Sequence, residues 1–146
     1  MTPALLWLCA ACLTFATAAF TAEAENNKLA MTSINVRIAG KLFAARLENN
    51  ETAAAFAAML PLTLTMSDLN DNEKVIDLPE KLPGAASNPG TIRTGDLMIW
   101  SSRSLVLFYK TFPTPYSYMR LGRIDDPTGL AAAVGSGNVT VTFEKQ

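Results

Sequence analysis

The chain has 146 residues, a formal charge of −1, no histidine and two cysteines, a size that suits one domain. Its basic residues are scattered, with no run able to neutralise phosphates, which excludes nucleic acid as a partner. The missing histidine also excludes Ser-His-Asp and Cys-His nucleophile systems.

Residues Leu5 to Phe20 form an uncharged apolar block. A spanning helix needs roughly 20 such residues, and this block is shorter. Small-residue sites follow, Ala16-Thr17-Ala18 and Ala22-Glu23-Ala24. The pattern reads as a secretory signal peptide over residues 1–24, cleaved after Ala24. Met1-Thr2-Pro3-Ala4 supplies no Lys or Arg, and the competing reading is an uncleaved anchor. Cys9 and Cys12 both lie in the block and would leave with it. A lipoprotein reading of Cys12 would need an aliphatic residue where Cys9 stands. The mature chain would then lack thiols and, with no histidine, the usual zinc ligands. Its stability in an exported compartment must come from the core alone. The expectation is an exported protein, periplasmic or secreted, monomeric, without a metal, a cofactor or a membrane span once the signal is removed.

Residues 25–32 read as a polar, loose tail, and residues 33–146 as the folded domain. Ile34, Val36 and Ile38 alternate with Asn35, Arg37 and Ala39, a half-buried strand. Gly40-Lys41 makes a turn, and Leu42 to Leu47 returns as the second arm of a hairpin. Asn49-Asn50-Glu51-Thr52 opens a helix by capping its free amides. Phe56, Met59 and Leu60 give that helix one apolar stripe, and Pro61 stops it. Leu62 to Met66 alternates again, with Leu62, Leu64 and Met66 on one face and Thr63 and Thr65 on the other. Asp68 to Glu73 reads as a turn, because Asn and Asp bond their own backbone. A calcium loop would need a glycine and a distant glutamate that are missing. Lys74 to Leu78 is a short strand. Pro79 to Gly90, rich in Pro, Gly, Ser and Ala, is a long loop.

Gly95 to Ile124 is the centre of the reading: three strands joined by turns, holding Trp100, Phe108, Tyr109, Tyr116 and Tyr118, with Phe112 in a loop between them. Leu97, Ile99, Leu105, Leu107 and Tyr109 make one set of alternate positions; Met98, Trp100, Val106 and Phe108 make the other. Both sets are apolar. Such a pair is covered on both faces, most simply by a helix, or gives one face to a binding groove. Tyr116, Tyr118, Arg120 and Gly122 share one strand face. There Arg120 either snorkels over packed tyrosines or binds an anionic group. Asp126-Pro127 starts a second short helix with Leu130 and Val134 facing in, ended by Gly135. Val139, Val141 and Phe143 form the last strand. Asp96, Asp125 and Asp126 all fall at turns or caps, which accounts for them without catalysis.

The element order fits a closed, mostly antiparallel barrel of about eight strands with a helix at each end. Several motifs together resemble a family of bacterial cyclophilin-like domain proteins of undefined activity. They are Leu60-Pro61-Leu62-Thr63, Asn72-Glu73-Lys74, Gly95-Asp96-Leu97, Leu107-Phe108-Tyr109-Lys110, Tyr116-Ser117-Tyr118 and Leu121-Gly122-Arg123-Ile124. The resemblance runs from about Ile34 to Phe143 and implies the cyclophilin-like fold. True cyclophilins isomerise X-Pro bonds with an arginine on a Phe-His-Arg strand, a Phe-Met-x-Gln-Gly-Gly segment and a Phe-Phe strand. Here Leu62 to Met66 stands in the first strand's place without an arginine. Asp68 to Lys74 replaces the second, and only Phe108 matches the third.

The resemblance therefore implies an aromatic groove without its catalytic donor, with Arg120 the one substitute in reach. The candidate ligand-binding residues are Thr65, Met66, Phe108, Phe112, Tyr116, Tyr118 and Arg120, and no catalytic residue is assigned. The expected function is a module that binds a peptide or small ligand. The alternatives are a weak prolyl isomerase and an assembly domain using the Pro79–Gly90 loop.

Overall fold

The computed structural model describes residues 31–146. The segment read as a signal peptide, its two cysteines and all but the end of the polar tail lie outside the described residues. Eight strands close into one antiparallel barrel: β1 (Ser33–Ile38), β2 (Lys41–Leu47), β3 (Leu62–Leu69), β4 (Glu73–Asp77), β6 (Asp96–Trp100), β7 (Ser104–Phe108), β9 (Met119–Ile124) and β10 (Val139–Lys145). Their order around the barrel is β1-β10-β3-β4-β7-β6-β9-β2. Two short strands, β5 (Thr91–Ile92) and β8 (Phe112–Pro113), pair with each other outside it.

Period-two alternation is what fills the barrel. Ile34, Val36 and Ile38 from β1, Leu97 and Ile99 from β6, Leu105 and Leu107 from β7, and Val141 and Phe143 from β10 are all fully buried in one cluster. Helix α1 (Glu51–Ala58) begins at Asn50, whose side chain accepts a bond from the Ala53 amide. Its Phe56 meets Phe143 edge to face at 5.6 Å. Met59 and Leu60 are only partly buried against the core, and Pro61 follows before β3 begins. Helix α2 (Leu130–Val134) inserts Leu130 and Val134 near the other end of β3. It starts later than Pro127, because Asp126 spends its carboxylate on the Thr128 amide in a turn of its own.

The sequence reading needs four corrections. First, β3 continues to Leu69 and β4 begins at Glu73, so the turn is only Asn70 to Asn72. Asn70 and Asp71 both hold positive φ, which Asn and Asp tolerate better than most residues. Second, the connection between β7 and β9, read as a loop, contains β8, and β9 pairs with β6. Third, the β6–β9 register shifts between Leu97 and Met98, with Gly122 opposite Leu97 and Arg120 opposite Met98. Leu121 is thus an extra residue, a bulge that takes Gly122 out of the phase shared by Tyr118 and Arg120. Gly122 also has no room for a side chain: a Cβ there would lie 2.3 Å from the Arg46 carbonyl oxygen on β2. Fourth, among the described residues no helix covers the outer face of β6 and β7. Ile92 of β5, fully buried, packs there against Met98, Val106, Phe108 and Tyr118.

One charged side chain lies inside. Lys74 is fully buried, and its ammonium donates to Asp68 Oδ1 at 2.8 Å, Gly135 O at 2.9 Å and Gly137 O at 2.6 Å. An ammonium has three donors, so all are used. The Tyr109 hydroxyl donates to the same Asp68 oxygen at 2.6 Å. The Lys74 bond, first, and then the Tyr109 bond hold the Asp68 carboxyl below its ordinary 3.8. The cluster ties β3, β4 and the end of β7 to the loop after α2.

Replacing Lys74 with Met takes the cation from Asp68, which keeps only the Tyr109 hydroxyl as a side-chain donor, and removes the lysine donor from the Gly135 and Gly137 carbonyls. The expected loss is about 3–5 kcal/mol in urea unfolding. Because the folded-state pKa of Asp68 is depressed, its contribution is complete above the ordinary value and lost as pH falls through the depressed one. The acid limb of the stability curve, below about pH 4, should therefore be shallower in Asp68→Asn than in the parent.

Candidate ligand groove

On β4, successive side chains point to opposite faces. Lys74 goes in; Glu73 and Val75 go out. The outer face of β4 and β7, with the segment leading into β9, forms a groove of about 600 Å³. β4 and its turn contribute Asn70, Asn72, Glu73 and Val75, and β7 contributes Ser104 and Val106. The far wall is Phe112 to Tyr116 with Tyr118, and Trp100 closes one end.

The wall is a continuous series of rings. Phe112 meets Phe108 at 5.8 Å, Phe108 meets Tyr118 at 5.6 Å, Tyr118 meets Trp100 at 5.3 Å, and Trp100 meets Tyr116 at 5.6 Å. Most of these contacts are edge to face, the geometry aromatic quadrupoles favour. Phe108 is fully buried and supports the floor. The far wall is held by backbone bonds: Ser87 and Tyr118 exchange N–H···O bonds at 2.9 and 3.0 Å, and the Thr114 amide donates to Gly90 O at 3.0 Å. Trp100 and Tyr116, with Leu69 on the β4 side, are three of the four large apolar side chains that stand exposed among the described residues.

Among the described residues Glu73 is the only charged one in the lining. It is 9% exposed, and no hydrogen bond or cation compensates it among the described residues. Burial, first, and then the nearby Asp68 push its carboxyl above the ordinary value of 4.5. Lys74, its neighbour in sequence, cannot help, since the alternation sends it to the opposite face. Burial also raises the Tyr118 phenol. Asn72 Oδ1 is enclosed and has no partner among the described residues.

The structure brings together three of the residues singled out from sequence, Phe112, Tyr116 and Tyr118, and places Phe108 directly beneath them. It separates the others. Met66 is sealed in the barrel core. Thr65 lies on the outer surface across from Thr140 of β10. Arg120 lines two smaller hollows elsewhere, one of about 310 Å³ with Arg93, Arg123, Glu48 and Asp96, the other beside Asn50 and Ser87. Sequence reasoning missed Glu73, Trp100 and Leu69. A signal was present for Glu73: opposite charges side by side in a strand must face opposite ways.

The chain belongs to the cyclophilin-like family, whose model matches residues 36–144. The fold is similar to the solution structure of the hypothetical protein AF2241 from Archaeoglobus fulgidus, at 19% identity and a TM-score of 0.54. That match covers 80% of this chain and 95% of the other. Comparison with curated proteins gives no match. Among the described residues no group of His, Cys, Asp or Glu is arranged to hold a metal ion, and no helix is long and apolar enough to cross a membrane.

A carboxyl raised in the fold is one whose ionised form the fold disfavours. Ionised Glu73 therefore costs stability, increasingly as pH rises above the ordinary 4.5 until the raised pKa is passed. Glu73→Gln should raise the melting temperature by about a few degrees at pH 7. At pH 4, where the parent carboxyl is protonated in both states, the gain should vanish.

Proposed function

We propose that this cyclophilin-like barrel is an exported binding module whose outer groove takes a peptide or small ligand. The observation that carries the reading is the rim of Leu69, Trp100 and Tyr116 around a groove of about 600 Å³. Exposed large apolar side chains gathered on one concave surface mark interaction sites, whereas isolated ones do not. The volume falls in the range of small-molecule sites, and a mostly apolar lining with few polar groups suits one. Export rests on the apolar block and small-residue sites of residues 1–24.

The prolyl isomerase alternative draws less support. Weakening a prolyl amide, whose rotation barrier is roughly 18–20 kcal/mol, calls for a cationic donor near the prolyl nitrogen. No Lys, Arg or His lines the groove, and Arg120 sits in separate hollows.

A thermal-shift screen of short peptides and small metabolites, followed by titration, tests the reading. Ligands that raise the melting temperature should bind at least about tenfold more weakly to Trp100→Ala/Tyr116→Ala, about 1.4 kcal/mol. The unliganded double variant should melt close to the parent, since both side chains stand exposed. A screen without hits, or hits indifferent to the two substitutions, would remove the groove as the site. An isomerisation assay on a proline tetrapeptide, run alongside, should give the uncatalysed rate.

A further inference from the structure

We propose that the groove is selective for a small organic cation, an ammonium carried on a short apolar or aromatic group. The inference rests on the groove being a ligand site, and it names the chemistry of the occupant. Two independent features point the same way. The walls present the rings of Phe112, Tyr116, Tyr118 and Trp100, and a cation within about 6 Å of such a ring is attracted by its quadrupole. The floor presents Glu73, nine-tenths buried and without a hydrogen-bond donor or a cation of its own.

A buried carboxyl in that state is costly unless something pairs with it. Among the described residues no cation is placed to pair with it. All three donors of Lys74 are taken by Asp68, Gly135 and Gly137. Arg103, beyond the β6–β7 turn, bonds the carbonyls of Leu78 and Pro79. A ligand ammonium would supply both the missing charge and the missing donors, as a charge-assisted hydrogen bond. Its apolar body would sit against the rim of Leu69, Trp100 and Tyr116. The lining suits neither an anion nor a purely apolar guest. An anion would meet Glu73 as a like charge, and an apolar guest would seal the carboxyl from water unpaired. The size of the groove points to a free small molecule as the source.

The groups facing Glu73 set how affinity should vary with pH. Tyr118, from the approach to β9, lies in the groove with Glu73; Asp68 of β3 and Tyr109 after β7 act on it only through space, from the inward cluster they form with Lys74. Asp68 is held low and both phenols are pushed up. Of these acids only Glu73 has a pKa displaced toward the range of about pH 5 to 8.

The test is calorimetric titration of the full chain with phenethylamine and its neutral analogue 2-phenylethanol. The amine should bind about tenfold or more tightly than the alcohol at pH 8, and the advantage should shrink toward pH 5. In Glu73→Gln the amine should lose that advantage over the alcohol. Should that variant not fold, the pH series on the parent decides alone. Equal binding of amine and alcohol to the parent, or a preference that survives Glu73→Gln, overturns the cation selectivity and leaves the groove itself standing. Binding of acetyl-Ala-Lys-Ala-amide with none of phenethylamine overturns the small-molecule source. No binding of any of these probes also overturns the inference, and the wider screen then judges the groove separately.

Discussion

The arrangement of this barrel depends on the phase of one short strand. β4 carries a lysine and a glutamate side by side, and strand geometry forbids them the same face. Lys74 goes inward, where a bare ammonium would be ruinous. It is tolerable because three acceptors from two segments, β3 and the loop after α2, converge on it. Those acceptors fix where the loop after α2 must run and how β3 must register against β4. A slip of one residue would expose the lysine, bury the glutamate in the core and leave the two glycine carbonyls unpaired. The same phase puts an uncompensated carboxyl on the outer surface. Order inside the barrel and unsatisfied polarity outside it have a single origin.

The outer surface at that point is unusual for a barrel because it is apolar as well. β6 and β7 carry hydrophobic side chains on both faces, so one face makes the core and the other needs a cover. Burying Ile92 of the β5–β8 arm contributes about 1.5–3 kcal/mol, but the arm is only two residues of strand on each side. It covers Met98 and Phe108 and stops short of Trp100 and Leu69. What is left uncovered is the groove, an unfinished second core, walled by rings and floored by Glu73. The cyclophilin-like family membership gives the scaffold, whereas the character of this groove belongs to the side chains of this chain.

Much of this architecture could be read from residues alone. The alternation of Ile34-Val36-Ile38 and of Val139-Val141-Phe143, the cap at Asn50 and the stop at Pro61 are local signals with local causes, and each element stands where those signals put it. The two-faced hairpin was legible as well, though not its cover, since nothing in the Pro- and Gly-rich stretch announces that Ile92 will fold back onto it. Arg120 was grouped with Tyr116 and Tyr118 by strand phase, and phase places it correctly. What separates it from them is the loop before β5, where Ser87 bridges Tyr118, a long-range pairing that no spacing reveals. Met66 was a candidate for the groove, and the structure instead seals it in the barrel core with the apolar face of β3. Glu73 escaped because its neighbours Asn70, Asp71 and Asn72 read as one polar turn. Only the register of Asp68 opposite Lys74 separates the glutamate from that turn.

The seam of the barrel has its own consequence. β1, the first strand, is flanked by β2 and by β10, the last, with Ile34 opposite Lys145. A chain made or threaded from its amino end therefore emerges with its opening hairpin early and the strand that completes the ring last. Until Val139 to Lys145 arrive, β1 and β3 each offer a bare edge, and the cylinder cannot shut. Closure of the ring thereby waits on the last of its eight strands, whatever the order in which the others pair.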